Sequence, residues 1–286
     1  MPLQKKSKTT ISDILNKKKN KEKITMLTSY DYSISRICNE TDLDMILIGD
    51  SAATVMMGHD STRKIGMVEM VTFCKGVVNA ITRQVIVADM PFGSYQTGKS
   101  ISIINALKFL RCGCDAVKLE GGLEVVDIIR NMTDLGIPVM GHIGLKPQTT
   151  PLHHGYVSQG KTAEGAIRLL NEARALEEAG VFSIVLEKVT SEVASVITEN
   201  TNVPIIGIGC GPYVDGQVLV IHDMLGLYTD FEPKFVKRYL DLSKQIFDAI
   251  KEYETEVKSG KFPQEEHMYH MTEEEFAKLQ KMLKRV

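Results

Sequence analysis

The chain has 286 residues, of which 43% are hydrophobic and 24% charged, with a formal net charge of -2. That length accommodates one large domain or two small ones, and the composition supplies a sizeable core. No apolar run approaches the roughly 20 residues that span a bilayer, and so balanced a charge sets up no global field for nucleic acid or anionic lipid.

The N-terminus is basic, from Lys5, Lys6 and Lys8 to Lys17, Lys18, Lys19, Lys21 and Lys23. No aromatic residues are interleaved for base stacking, and no apolar stretch with a small-residue cleavage site follows. The region reads as a helix over 12–19 with a solvated basic face. Five scattered cysteines, Cys38, Cys74, Cys112, Cys114 and Cys210, make neither a disulfide framework nor a four-ligand zinc pattern. With no leader and no such framework, the expected setting is a reducing cytoplasm, with no membrane or nucleic-acid partner.

Eight short apolar runs, at 24–28, 45–50, 85–89, 116–120, 138–143, 183–189, 204–210 and 218–223, read as strands covered on both faces. Helical patterns separate most of them. Val125, Ile128, Ile129, Met132 and Leu135 share one helix face, and Gly136 and Pro138 end that helix. Ala163, Ala166, Ile167, Leu170 and Ala173 repeat the pattern between a Thr162 cap and Gly180. Pro233 is placed to open a long helix lined by Phe235, Tyr239, Leu242, Ile246, Ile250 and Tyr253. Alternating strands and helices imply parallel pairing through right-handed crossovers, and eight units favour a closed (β/α)8 barrel of about 250 residues. The expected domain is therefore a single barrel over 1–267, with a helical extension over 268–286 in which Thr272 and Glu275 form a capping-box pattern. The segment 211–217 is too short for a helix, and the long 144–161 connection has the character of a lid or binding loop.

Active sites of parallel barrels lie at the C-terminal strand ends. Those ends carry Gly49-Asp50-Ser51, Asp89, Glu120, His142, Glu187 and His222-Asp223. Taken singly, Asp50 or Asp89 is as readily a helix N-cap. The four carboxylates of Asp50, Asp89, Glu120 and Glu187, gathered at one mouth, would repel one another unless a divalent cation joined them. Lys118 lies two residues before Glu120 and so shares its strand face. It is either half of a structural ion pair or the receptor of a substrate carboxylate, and His142 is either a site residue or a satisfied strand-end histidine. The glycines at 207, 209 and 211 lack the dinucleotide-binding spacing and indicate close backbone approach instead. Nothing local argues for Cys210 as a nucleophile, and loop residues His153 and His154 read as solvated.

These residues, together with Thr28 to Tyr32, Gly58 to Thr62, Ala88 to Phe92, Val117 to Gly122, Gly141 to Leu145 with Pro147-Gln148, Leu186-Glu187 and Ile205 through Gln217 to Asp223, run in an order that resembles the ketopantoate hydroxymethyltransferase family over about 9–267. Cys210 departs from the alanine usual there. The resemblance implies a barrel of the phosphoenolpyruvate/pyruvate-binding type. It also implies Mg²⁺ or another divalent metal on Asp50 and Asp89 with support from Glu120. The α-keto acid would be held by Asp50, Ser51, Asp89, Lys118 and His142, with Glu187 as proton acceptor. The implied co-substrate is 5,10-methylenetetrahydrofolate, and the implied assembly a homodecamer. A magnesium-dependent C–C lyase or mutase on a related barrel, and a non-catalytic barrel, are the alternatives.

Overall fold

The computed structural model describes residues 7–150 and 157–284. Its eight strands are β1 Ile24–Thr28, β2 Met45–Ile48, β3 Val85–Asp89, β4 Ala116–Glu120, β5 Val139–Gly144, β6 Ser183–Glu187, β7 Ile205–Ile208 and β8 Gly216–Leu219. Each pairs in parallel with the next, and β8 returns to β1, so the sheet closes in sequence order. The helices are α1 Ile11–Lys19, α2 Tyr32–Asn39, α3 Ala52–Val55, α4 Met67–Val78, α5 Lys99–Cys112, α6 Val126–Asp134, α7 Ala163–Glu178, α8 Ser191–Glu199, α9 Ile221–Met224, α10 Leu242–Ser259 and α11 Glu273–Leu283. The chain forms two compact units, Met1–Tyr239 with the whole barrel and Leu240–Val286 with α10 and α11; the domain expected over 1–267 spans both.

The apolar strand runs resolve into two sets, because successive side chains point to opposite faces. Ile46, Ile48, Ile86, Ala88, Val117, Leu119, Val139, Ile143, Ile184, Leu186 and Ile205 pack outward in the core shared with the helices. Ile24, Met26, Met45, Leu47, Val85, Val87, Ala116, Met140, Val185, Ile206 and Val218 fill the barrel interior. By the same alternation Asp89, Lys118, Glu120, His142 and Glu187 continue the interior set toward the C-terminal mouth.

Three expected elements change. Residues 12–19 are not simply a solvated face: α1 sends Ile14, fully buried, into the interior cluster. Its basic residues bind the barrel, Lys17 to Asp44 at 2.6 Å and Lys18 to Asp215 at 2.9 Å. Thr10 and Asp13 cap its N-terminus reciprocally. The eighth strand ends at Leu219, and His222 and Asp223 stand in α9 instead, after Ile221 N–H donates to Thr28 Oγ1 at 3.0 Å. The long C-terminal helix starts at Leu242 behind Asp241, not at Pro233, so Phe235 and Tyr239 lie outside it, and none of its residues is buried. The caps at Thr162 and Thr272 form, although at Thr272 only the threonine half of the box is made. His153 and His154 lie outside the described residues.

Ile14→Ala leaves a hole at the base of the barrel where no polar group can substitute. We expect a stability loss of about 2–5 kcal/mol in urea unfolding. A loss below about 0.5 kcal/mol, the range of an ordinary surface change, would show that α1 is not a plug.

Candidate active site

The C-terminal mouth encloses a cavity of about 390 Å³ lined by Asp50, Ser51, Asp89, Lys118, Glu120, His142 and Glu187. All seven residues expected at the site are thus brought together, from β2 to β6 and the turn after β2. Lys118 is the only lysine or arginine among the described residues that is buried. Its ammonium pairs with Asp89 Oδ1 at 2.6 Å and donates to His142 Nδ1 at 3.2 Å. Two of its three protons are thereby engaged, leaving one for a ligand.

That lysine contact fixes the histidine. Nδ1 accepts, so the ring proton sits on Nε2, which faces Glu187 Oε2 at 3.3 Å without forming an aligned hydrogen bond. Burial, and then the Lys118 charge, hold the imidazole well below its ordinary pKa, so it stays neutral.

The carboxylates are crowded. Asp50 N–H donates to Asp89 Oδ2 at 3.0 Å, an arrangement the tight Gly49 turn makes possible. Burial and the adjacent Asp89 push the Asp50 carboxyl up to about 7, against the pull of Lys118 and Gln148. Burial and Asp50 raise Glu120 well above the carboxylate range. Burial raises Glu187 to about 7. Four carboxylates thus surround one ammonium, an excess of negative charge that low-dielectric surroundings magnify.

A divalent cation fits that donor set. Among the described residues no three His, Cys, Asp or Glu side chains form a ready-made cage. Magnesium needs none, because it takes one or two carboxylates and completes its shell with water and substrate. Asp50 and Asp89 offer those two ligands, and Glu120 lies close enough to Asp50 to share the charge.

Gln148 carries a role that its place in the long loop did not reveal. It is 1% exposed, its side-chain amide donates to Asp50 Oδ2 at 2.7 Å and to Met90 O at 3.1 Å, and its backbone N–H donates to Glu120 Oε2 at 3.0 Å. Tyr95 donates to Gln148 Oε1 at 2.8 Å and fixes the amide orientation. Tyr30 similarly meets Ser51 Oγ at 2.8 Å. A buried glutamine in a loop has no periodicity to betray it; only the Pro147-Gln148 pair in the family resemblance pointed there. Gly144 matters for a different reason. At φ +94 a Cβ would lie 2.3 Å from Glu187 O, so only glycine lets β5 run this close to Glu187.

Two expectations concerning the glycine-rich stretch also resolve. Gly209, at φ +67, lets the Phe235 ring lie where a Cβ would come within 2.8 Å, which is the close approach expected there. Cys210 is buried and donates weakly to Leu186 O at 3.4 Å, and burial raises its thiol to about 12, a setting that disfavours the thiolate.

The chain folds as a closed parallel (β/α)8 barrel with acidic residues at its strand ends. Solved structures share that fold: a 2,3-dimethylmalate lyase, described as a member of the phosphoenolpyruvate mutase/isocitrate lyase superfamily, superposes with TM-score 0.57 at 17% identity, covering 96% of this chain and 97% of that one. A phosphonopyruvate hydrolase complexed with oxalate and Mg²⁺ gives 0.59 at 11% identity, covering 97% and 96%. The family is resolved by sequence. The family model described as ketopantoate hydroxymethyltransferase matches residues 8–265. The 3-methyl-2-oxobutanoate hydroxymethyltransferases of Nitrosopumilus maritimus and Syntrophomonas wolfei are 46% and 49% identical, over 96% and 94% of this chain and 98% of each relative. The chain belongs to the ketopantoate hydroxymethyltransferase family.

Asp50 binds its proton more readily folded than unfolded. Its share of stability is therefore full below about pH 4 and is lost as pH rises to about 7. In metal-free protein, Asp50→Asn should gain melting temperature relative to the parent between about pH 4 and pH 8. A difference that stays constant across that range would show the carboxylates are not strained by mutual repulsion.

Proposed function

We propose that the chain transfers a hydroxymethyl group from 5,10-methylenetetrahydrofolate to 3-methyl-2-oxobutanoate, giving 2-dehydropantoate in pantothenate biosynthesis. One observation carries the reading. The carboxyl of Glu187 sits near neutral pKa in the same cavity as the Asp50–Asp89–Lys118–Glu120 cluster but on the far strand β6. Removing a proton beside a ketone needs a base of that strength, and holding a 2-oxo acid needs that cluster.

Asp50 and Asp89 would hold Mg²⁺, with Glu120 in support. Bound there, the ion supplies Lewis acidity that favours the enolate over the ketone. The free proton of Lys118 binds the substrate carboxylate, and Ser51, oriented by Tyr30, offers a further hydroxyl. Glu187 takes the C3 proton. The Nε2–H of His142 lies beside Glu187 and stabilises its charged form once the carboxylate swings into line. Water adds to the methylene carbon of the folate and both of its C–N bonds break, returning tetrahydrofolate and leaving the one-carbon unit at the formaldehyde level; the C3 enolate then adds to that carbon, and the proton held by Glu187 goes to its oxygen to give the hydroxyl. Five free cysteines accord with a cytoplasmic setting. Ile37, Val68, Ile101 and Ile104, exposed on α2, α4 and α5, give a homodecamer apolar surface to bury. No helix among the described residues is long and apolar enough to cross a membrane.

The test is an assay of 3-methyl-2-oxobutanoate with divalent metal, with and without the folate. Product formation should require both, and no reaction under any condition overturns the reading. Glu187→Gln should abolish C3 proton exchange, monitored by NMR in deuterated water, while metal binding persists. In the parent, kcat/KM should rise with pH through about 7 as Glu187 ionises; retained exchange in the variant would remove Glu187 as base. Gln148→Ala frees Asp50 and Glu120 from their shared partner, and should weaken Mn²⁺ or Mg²⁺ binding about 10–100-fold in calorimetry. Unchanged affinity would show that Gln148 does not position the ligands.

A further inference from the structure

The cavity reaches beyond the groups that handle the oxo acid. On the side of β8 and α9 its wall is Asp223, Tyr228, Phe231 and Phe235. Asp223 is half-buried, and no described residue donates a hydrogen bond to its carboxylate. Arg238, whose charge acts on it, is engaged by Glu232 at 2.9 Å. Burial raises the Asp223 carboxyl to about 6, as expected for an acid facing a cavity without a donor. Phe231 lines the same cavity with 60% of its surface exposed.

This wall is held rather than loose. Leu227 N–H and Tyr228 N–H donate to His222 O at 2.8 and 3.3 Å, and Tyr239 N–H donates to Met224 O at 2.8 Å. Phe235 rests against Gly209 at the end of β7. The segment between α9 and Tyr239 is therefore anchored at Tyr228, Phe235 and Tyr239, on either side of Phe231.

Charge sorts the two halves of the cavity. An anionic oxo acid belongs beside Lys118 and is repelled by an unpaired carboxylate. A carboxylate beside an exposed aromatic face suits the opposite kind of ligand: a flat, uncharged ring with adjacent N–H donors on one edge. The 2-amino-4-oxopyrimidine edge of a reduced pterin has that pattern, a ring N–H next to an exocyclic amine.

We propose that Asp223, Tyr228 and Phe231 form the subsite for the pterin of the one-carbon donor, Asp223 accepting from the ring N–H and exocyclic amine while Phe231 covers a ring face. The inference rests on the folate-dependent reading above. It also suits the sheet order. Glu187 on β6 and the subsite after β8 are separated only by β7, so a pterin seated there lies on the side from which the C3 proton leaves.

The test uses the full chain with Mg²⁺ and two readouts. One is C3 proton exchange of 3-methyl-2-oxobutanoate without folate; the other is binding of 5-formyltetrahydrofolate, a stable probe, by calorimetry. Asp223→Asn replaces one acceptor by a donor. It should weaken probe binding and raise the donor KM by about tenfold or more, the worth of a charge-assisted hydrogen bond. The oxo-acid KM read from exchange should move by less than about twofold, because the oxo acid sits in the other half of the cavity. Phe231 is exposed, so Phe231→Ala spares the fold; it should weaken the probe several-fold, and Phe231→Tyr should restore it. Exchange in the parent with unaltered probe binding in Asp223→Asn and Phe231→Ala overturns the subsite alone. Absence of exchange in the parent overturns the proposed function and the subsite with it.

Discussion

The arrangement at the barrel mouth is governed by an imbalance of charge. Lys118 neutralises one buried carboxylate, Asp89, and leaves Asp50, Glu120 and Glu187 to repel one another in surroundings that water does not screen. A protein selected for stability alone would replace such a cluster with apolar side chains. Its persistence is explained if the missing positive charge arrives with the ligands. The rest of the site follows from holding the cluster in readiness: Gln148 ties Asp50 to Glu120, Tyr95 aims Gln148, and the Lys118–His142 contact sets one tautomer.

The same imbalance leaves the carboxylates in different settings. Asp89 is locked to the Lys118 ammonium at 2.6 Å. Glu187 stands on β6 beside the neutral His142, and burial lifts its carboxyl to about 7 against the pull of Lys118. The β/α framework allows the difference because each side chain stands on a different strand, held by its own backbone pairing.

The barrel was legible in the sequence because most strands are apolar on both faces, and their acidic residues fall where the strands end. Lys118 could be paired with Glu120 from spacing alone, and the structure adds that its direct partner is Asp89, on the neighbouring strand. Gln148, Tyr95 and Tyr30 were hidden, since their roles come from loops whose paths no periodicity encodes. His222 and Asp223 followed an apolar run and so read as strand, although the chain turns into α9 just after Val220. Residues 12–19 misled for a related reason: composition shows eight N-terminal lysines as solvated, but only tertiary contact shows Lys18 reaching Asp215 and Thr198 O.

The plug formed by α1 has a consequence for how the molecule is assembled. Its fastenings are to Asp44 in the approach to β2 and to Asp215 at the threshold of β8, the latter 197 residues from its partner Lys18. During synthesis α1 is made long before β8, the last strand of the ring, and its latch to Asp215 can form only once the chain has reached that strand. Until then the interior lacks that contact. An early segment of the barrel is thus secured late, which couples the seating of α1 to closure of the ring.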